Sequence, residues 1–221
     1  NANFNYTNFE PGVPIGPWRS VFISNAFYIE SAIDEVAHFA KKGPLEYRKK
    51  LIGNNPRVQN ILEIIAKQSN WSETLPPRQG KGIAVFHELD GVIAQVATVS
   101  VSPSGKLNIM KIDCVVDLGS YINPSIVKSQ IEGGIVMGIS STLKEEIIFA
   151  EGMVSQNNFD TYKIAKMKDI PEIEITLVES DTNSKGVDFG VVPVAPAITN
   201  AIYVATGIRI RNLPIGKQKL V

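Results

Sequence analysis

The pattern of hydrophobic and polar positions changes near residue 80 and divides the chain into two parts. Before this point, apolar residues recur at intervals of three and four, which predicts amphipathic helices. After it, runs rich in valine and isoleucine predict strands. We therefore expect a helical part over residues 11–75 and a mixed α/β part over residues 80–221. The predicted fold class is α+β, with helices packed on a mixed or antiparallel sheet.

Three helices are predicted in the helical part. The first runs from an N-cap at Ser24 or Asn25 to about residue 42, where Gly43 ends it. Proline at a first helical position opens the second helix over residues 44–51. An Asn-Pro pair at residue 55 starts the third, which carries apolar residues at helical spacing.

The mixed part begins after a predicted connector over residues 72–81, which contains a Pro-Pro pair and glycine. Short turn signals separate the first valine-rich runs, so we expect an antiparallel meander there. A helix from the Asn-Pro pair at residue 123 to residue 143 follows, and a last helix over residues 195–205 is closed by Gly207. The predicted strands are residues 82–89, 92–101, 107–117, 146–150, 153–156 and 173–178.

Charge and cysteine content exclude several classes of protein. The 221 residues contain 22 lysines and arginines against 22 aspartates and glutamates, and this balance argues against a nucleic-acid binder. The single cysteine, Cys114, excludes an internal disulfide and a cysteine-ligated zinc or iron–sulfur site built by this chain alone. Apolar stretches such as residues 133–139 are far shorter than the roughly 20 residues of a membrane span. The cellular compartment is left open.

The helix predicted over residues 123–143 contains three glycines, Gly133, Gly134 and Gly138. Each costs up to about 1 kcal/mol relative to alanine in a helix interior, so some close contact must compensate. Tight packing of helix on sheet is one explanation. Close approach of a bulky ligand is the other, and Gln130, one turn upstream, could offer its amide to it. The Gly- and Pro-rich run at residues 185–196 is likewise interpreted as a structured loop, with an anion site at a helix start as the alternative.

Three groups of short motifs, in the same order along the chain, resemble the large subunits of molybdenum hydroxylases. The Trp-Arg-Ser form of the first motif is most similar to that of the isoquinoline 1-oxidoreductase beta subunits, relatives of aldehyde oxidases and xanthine dehydrogenases. The motifs are Gly16-Pro-Trp-Arg-Ser20 with Phe27-Tyr-Ile-Glu30, Ile33-Asp-Glu-Val-Ala37 and Pro44-Leu-Glu-Tyr-Arg48; Cys114-Val-Val-Asp-Leu-Gly119 with Asn123-Pro124 and Gln130-Ile-Glu-Gly-Gly134; and Val192-Pro-Val-Ala-Pro-Ala-Ile198 with Asn200-Ala-Ile202 and Ala205-Thr-Gly207.

The resemblance implies a molybdopterin cofactor, in its cytosine dinucleotide form, that carries molybdenum. It also implies hydroxylation of an aldehyde or an N-heterocycle with oxygen from water, and electron transfer to iron–sulfur clusters on a partner subunit. By their motifs, Arg19 matches the arginine that orients substrate, and Gln130 matches a glutamine that contacts the cofactor. Gly133 and Gly134 would let the cofactor lie close. A permanently charged guanidinium with directional donors suits the role of Arg19.

The run at residues 186–190, directly before the third group of motifs, departs from the family pattern. The family has Gly-Val-Gly-Glu-Pro-Gly, whose glutamate is the general base, whereas this chain has Gly186-Val-Asp-Phe-Gly190. Asp188 is the nearest carboxylate, and it is one methylene shorter than glutamate. Either the base has moved to Asp188, or the chain is a degenerate relative that kept the fold for binding or assembly, or the sequence contains an error at this place.

The resemblance also assigns the chain a place within a larger protein. Residues 1–221 would form the second, C-terminal molybdopterin-binding domain, with the first such domain and the iron–sulfur subunit outside it. The polar start without methionine has the character of a cut edge. Because the cofactor of this family lies between two domains, we expect this chain alone to be free of cofactor and inactive. An exposed apolar surface is expected where the absent domain would dock.

Overall fold

Five helices and six strands make up the part of the chain that the computed structural model describes, which is residues 7, 10, 12–13, 16, 18–88, 91–182, 188–216 and 218–221. The α+β class is confirmed. The helices are α1 (Ile23–Phe39), α2 (Pro44–Ile52), α3 (Pro56–Gln68), α4 (Pro124–Leu143) and α5 (Val194–Thr206). The strands are β1 (Gln79–Glu88), β2 (Gly91–Val101), β3 (Leu107–Asp117), β4 (Phe149–Ala150), β5 (Met153–Val154) and β6 (Glu172–Val178).

A four-stranded sheet in the order β1-β2-β3-β6 lies at the centre of the fold. Its first three strands form the predicted antiparallel meander, and β6 pairs parallel to β3, so the sheet is mixed. Along β2 successive side chains face opposite sides: Ile93 and Ala97 pack with α4 and α5, whereas Val92 and Val96 pack with α3. The sheet is therefore covered by helices on both faces, which buries β2 almost completely.

Two predictions about the first helix are wrong in detail. The helix starts at Ile23 with Phe22 at the N-cap and no side-chain cap, so neither Ser24 nor Asn25 caps it. It ends at Phe39, and the chain reverses through Lys41, which has a φ of 54°. Gly43 is extended and precedes α2, so it does not end α1. The helix α1 thus begins without a side-chain cap and ends at the turn through Lys41.

The predicted connector extends too far, because β1 begins at Gln79. Two glycines of β1, Gly80 and Gly82, pass directly under α5. A Cβ on Gly80 would lie 2.4 Å from the Ala201 carbonyl oxygen, and one on Gly82 would lie 2.1 Å from the Ala201 amide nitrogen. Gly80 was predicted in the connector and Gly82 at the start of a strand; both lie in β1 and allow a helix to pack closely on it.

The remaining elements agree closely with the prediction. Helices α4 and α5 lie where expected, and Gly207 closes α5 with a left-handed φ of 77°. The predicted strands over residues 146–150 and 153–156 shrink to the two-residue pairs β4 and β5. Residues 89–90, at the turn predicted between the first two strands, lie outside the described residues, as do residues 185–187 of the 185–196 loop and Pro17 of the first motif.

A buried ionic cluster joins the helical part to the edge of the sheet. The Arg48 guanidinium donates to Glu30 Oε2 at 2.9 Å, and the same oxygen accepts from the Val85 amide of β1 at 2.8 Å. Asp34 lies 3.8 Å from Arg48 and 2.7 Å from Arg209. Because each charge in the cluster faces an opposite charge, burial of these groups is tolerated. The cluster fixes α1 and α2 against β1.

Candidate functional site

Arg19 lies just before α1 and reaches across to α4. Its Nη2 donates to the carbonyl oxygen of Gln130 at 3.1 Å and to the Gln130 side-chain oxygen at 3.4 Å. Its Nη1 lies 3.9 Å from the Met137 sulfur. Its Nε is buried and has no hydrogen-bond partner among the described residues. The structure therefore brings two of the predicted site residues, Arg19 and Gln130, into direct contact.

Asp188 begins a short 3-10 helix, Asp188–Val191, that leads into α5. Its Oδ1 lies 4.0 Å from Arg19 Nε, and 64% of its side chain is exposed, against 21% for Arg19. At this distance and exposure the ion pair contributes little to stability, since water screens it. The carboxylate is thus close to the guanidinium and yet open to solvent.

The glycines of α4 divide between a packed side and an open side. A Cβ on Gly134 would lie 3.0 Å from the Val191 amide nitrogen, and one on Gly138 would lie 2.7 Å from Val194 Cβ. Both positions are buried, and the polypeptide itself fills the space next to them. Gly133 is exposed, and a Cβ there would have only Arg19 Nη1 nearby, at 4.0 Å. Packing therefore accounts for Gly134 and Gly138, and Gly133 alone borders the open surface beside Arg19.

A chain of three aromatic rings links the segment of Arg19 to the segment of Asp188. Phe22 and Phe86 have ring centroids 5.1 Å apart, and Phe86 and Phe189 have centroids 5.2 Å apart with an edge-on arrangement. Phe189 is 5% exposed. Its ring packs against Gly91, where a Cβ would lie only 2.3 Å from Phe189 Cε2. Such edge-on pairs stabilise beyond the area that they bury. The rings hold the two segments at a fixed separation.

Gln95 forms a second anchor for the turn that carries Asp188. This side chain lies in the fully buried centre of β2, and its Nε2 donates to the Gly190 carbonyl oxygen at 2.8 Å. The sequence reasoning missed Gln95, although a glutamine inside the otherwise apolar run of residues 91–97 was a signal. It also gave no role to Phe86. Buried amides need partners, so a glutamine in such a run points to something it must bind.

The other residues of the second and third motifs have structural partners. Burial by itself would raise the pKa of Asp117, but hydrogen bonds from Arg57, the Gly119 amide and Ser180 outweigh it and hold the pKa below its usual value. Burial raises the pKa of the Cys114 thiol to about 12, which makes a thiolate ligand unfavourable there. Asn200 donates to the Ile83 carbonyl oxygen at 3.2 Å and ties α5 to β1.

Within the described residues, no group of three histidine, cysteine, aspartate or glutamate side chains could hold a metal ion. One segment, Asp188–Thr206, is long and apolar enough to cross a membrane by length and composition. Because 78% of its most apolar window is buried in the fold, it has the character of a core helix. The start of α5 is buried as well, which favours the structured-loop interpretation of the 185–196 run over an anion site.

Comparison with known proteins places this geometry in a family. A family model described as "Molybdopterin cofactor-binding domain" matches residues 31–171, a range that includes Gln130 and Gly133 but neither Arg19 nor Asp188. The beta subunit of isoquinoline 1-oxidoreductase from Brevundimonas diminuta is 32% identical over 86% of this chain and 25% of its own length. A nicotinate dehydrogenase subunit from Pseudomonas putida is 30% identical over 89% of this chain and 18% of its own length.

Solved structures give the same result. Quinoline 2-oxidoreductase from Pseudomonas putida 86 superposes with a TM-score of 0.54 and 27% identity over 57% of this chain and 17% of that chain. Aldehyde oxidoreductase from Desulfovibrio gigas gives a TM-score of 0.51 and 26% identity over 59% of this chain and 15% of that chain. The chain thus spans about a quarter or less of these relatives. It belongs to the molybdopterin cofactor-binding domain family of the molybdenum hydroxylases.

Proposed function

We propose that this chain is the second, C-terminal cofactor-binding domain of a molybdopterin-dependent oxidoreductase that hydroxylates an aldehyde or an N-heterocycle with oxygen from water. The observation that carries the proposal is the meeting of Arg19, Gln130 and Asp188 beside the bare backbone of Gly133. These residues come from three separate segments of the chain. A cation, an amide and an accessible carboxylate next to one open surface are the groups that such a reaction needs.

The chemistry of these residues fits one wall of a molybdopterin site. Arg19 and Gln130 offer donors to phosphate and to the polar edge of a pterin, and the buried Nε of Arg19 has no hydrogen-bond partner among the described residues. Gly133 leaves room for a flat ring to approach the helix backbone. When bound, the molybdenum cofactor supplies a two-electron redox centre. We assign the cytosine dinucleotide form to it on the resemblance of the motifs.

The residues of this chain would bind, orient and move a proton. Arg19 orients the substrate and stabilises negative charge that develops on its heteroatom or carbonyl oxygen. Asp188 accepts, on its exposed carboxylate, the proton that water loses as it becomes the nucleophile. Gln130 holds the Arg19 side chain in place, because its backbone carbonyl oxygen and its side-chain amide oxygen both accept from Arg19 Nη2. The electrons released would pass to iron–sulfur clusters on a partner subunit.

Apolar side chains are exposed on two surfaces of the chain. They support the proposal that another domain of the parent enzyme docks on this one. On α1 the residues Ile29, Val36 and Phe39 are exposed at spacings of seven and three, so they share one face of the helix. The excursion between α4 and β6 exposes a second group. Large apolar groups on a surface mark interfaces. The second group consists of Ile147, Ile148, Phe149, Met153, Phe159 and Met167.

A catalytically degenerate module for binding or assembly is the second candidate function. It is favoured by Phe189, which lies in the run where the molybdenum hydroxylases have a glutamate and a proline. The ring of Phe189 packs against Phe86. The retained Arg19 and Gln130 favour the enzyme. The two candidates differ in the gene context, since an enzyme requires a preceding domain and an adjacent iron–sulfur subunit.

The test of the proposed function replaces Asp188 by asparagine in the full-length parent enzyme. This change keeps the shape and removes the basic oxygen, so turnover should fall by at least about a hundredfold. Molybdenum and pterin content should stay unchanged, since Arg19 and Gln130 are intact. Asp181→Asn, at another exposed aspartate, is the matched control and should keep full turnover. Equal turnover of Asp188→Asn and the unmodified enzyme would refute Asp188 as the base.

A further inference from the structure

Gln95 is an uncharged polar side chain in the buried, otherwise apolar centre of the sheet. It lies on β2 between Ala84 of β1 and Cys114 of β3, and it is completely buried. Its immediate sequence neighbours on β2 are apolar and buried too. Burying an amide costs several kilocalories per mole unless it is hydrogen-bonded, so packing alone does not explain this residue.

The hydrogen bonds of Gln95 identify the group that it serves. Its Nε2 donates to the Gly190 carbonyl oxygen at 2.8 Å, and the Cys114 sulfur lies 4.0 Å away. Its Oε1 is buried without a hydrogen-bond partner among the described residues. A flipped amide would direct Oε1 at the Gly190 carbonyl oxygen and repel it, so the orientation is determined by this one carbonyl. Gln95 is therefore tied to the turn at Gly190 more than to the core around it.

The turn at Gly190 depends on such an outside contact. Inside the turn, the Val192 amide donates to the Phe189 carbonyl oxygen at 3.1 Å, and Gly190 packs on α4 so closely that a Cβ there would lie 2.5 Å from the Ile131 carbonyl oxygen. A 3-10 turn of four residues has little intrinsic stability. The amide of Gln95 and the ring of Phe189 hold it from the sheet side.

We infer that Gln95 is a positioning residue, which acts through the Gly190 carbonyl to hold the carboxylate of Asp188 beside Arg19. Asp188 stands two residues before Gly190 in the same turn, so release of the carbonyl displaces the carboxylate. The inference rests on the proposed function for its catalytic consequence. Its structural part, the anchoring of the turn, is independent of that function.

The test uses the full-length parent protein with two substitutions at this position. Gln95→Met keeps the size of the side chain and removes the donor. Gln95→Glu keeps a donor only while the buried carboxyl is protonated, and full burial can raise the pKa of such a group to about 8–9. Thr142→Val is the matched control, because Thr142 is completely buried and its hydroxyl donates within α4, to the Gly138 carbonyl oxygen at 2.7 Å.

The first readout is hydrogen exchange over residues 188–192, which requires no bound cofactor and no turnover. Loss of the donor leaves the Gly190 carbonyl buried and unsatisfied, so exchange there should become about fivefold faster or more in Gln95→Met. Hydrogen exchange in α3, which packs on the opposite face of β2, should not change. A general defect in the core would speed exchange there as well, whereas release of the turn is local. Thr142→Val should leave residues 188–192 as they are.

The second readout is the pH profile of turnover. Gln95→Met should lower kcat by about tenfold to a hundredfold, the usual effect of a catalytic group displaced by about 1 Å, with little change in KM. Gln95→Glu should approach normal turnover near pH 7 and match the methionine variant above about pH 9.

The outcomes separate the two proposals. Unchanged exchange in Gln95→Met overturns the anchoring role, and faster exchange with unchanged kcat overturns the positioning role. An unmodified parent that holds no molybdopterin overturns the proposed function, and exchange then decides the anchoring role alone. Faster local exchange together with the kcat loss and its rescue by Gln95→Glu supports the inference as a whole.

Discussion

Exchange of the α4 glycines for alanine, one at a time, distinguishes the packed side of this helix from its open side. In Gly133→Ala the new methyl group has only Arg19 Nη1 nearby, at 4.0 Å. In Gly138→Ala it would lie 2.7 Å from both Cβ and Cγ2 of Val194 and 3.1 Å from the Val191 carbonyl oxygen. The two substitutions are chemically identical, so their difference reports the surroundings.

The expected signs are opposite. Alanine is about 1 kcal/mol better than glycine inside a helix, so Gly133→Ala should stabilise the chain by about 0.5–1 kcal/mol. Gly138→Ala has the same gain, but it forces a methyl group into a filled space, which costs about 1–3 kcal/mol. Because Val194 Cβ is bonded directly to the backbone of α5, no rotation of the side chain can move this atom away. Only a shift of α5 itself would relieve the contact. The net effect is a change between about zero and a loss of 2.5 kcal/mol.

Thermal and urea unfolding of the purified chain, followed by circular dichroism, measures both variants against the unmodified protein. For a chain of 221 residues, 1 kcal/mol corresponds to a Tm change of about 2–4 °C, so the two variants should differ by at least this amount. If Gly138→Ala is as stable as Gly133→Ala, then α4 and α5 are not as close as described, and packing does not explain Gly138.

Three further results are expected. Arg48→Met should lower the free energy of unfolding, measured with urea, by about 3–5 kcal/mol, because the buried Glu30 would lose its ion-pair partner. A loss below about 1 kcal/mol would contradict the buried pair. The folded-state pKa of Asp117 is lowered, so its contribution is present above the unfolded value near 3.8 and is lost as the pH falls further; Asp117→Asn should flatten this part of the stability profile, and an unchanged acid slope would contradict it. Cys114, completely buried and with its pKa raised to about 12, should react with thiol reagents only at the rate of unfolding, and fast labelling of the native chain would refute its burial.

The sequence predicted the elements well wherever local chemistry determines them. The Asn-Pro pairs start α3 and α4, as expected from an N-cap followed by proline: Asn55 accepts from the Val58 amide, and Asn123 accepts from the Ser125 and Ile126 amides. Predictions failed where a distant contact decides. Gly80, predicted in the connector, lies in β1 and allows the close approach of α5, and no local pattern separates this role from a loop.

The motifs predicted the individual residues of the candidate site but not their arrangement, and the roles of these residues stay predictions. The motifs gave Arg19, Gln130, Gly133, Gly134 and Asp188, and the structure brings all of them except the buried Gly134 to one surface. Gln95 lies far from Asp188 in the sequence, so their link becomes visible only when β2 and the turn are folded together. Apolar periodicity reports which face a residue occupies. It does not report which carbonyl a buried amide meets.

The parallel pairing of β6 with β3 has a consequence for the order in which the molecule folds. Strands β1, β2 and β3 are joined by short turns, so their contacts are local and form with little loss of chain entropy. Strand β6 reaches its place only after the whole of α4 and the excursion that follows have been enclosed in a loop. Closing that loop loses entropy before any contact is gained. We therefore expect the meander to form early, and β6, which is held by the Lys111–Glu174 ion pair and the Gln68–Thr176 hydrogen bond, to be the last strand of this sheet to join and the first to detach.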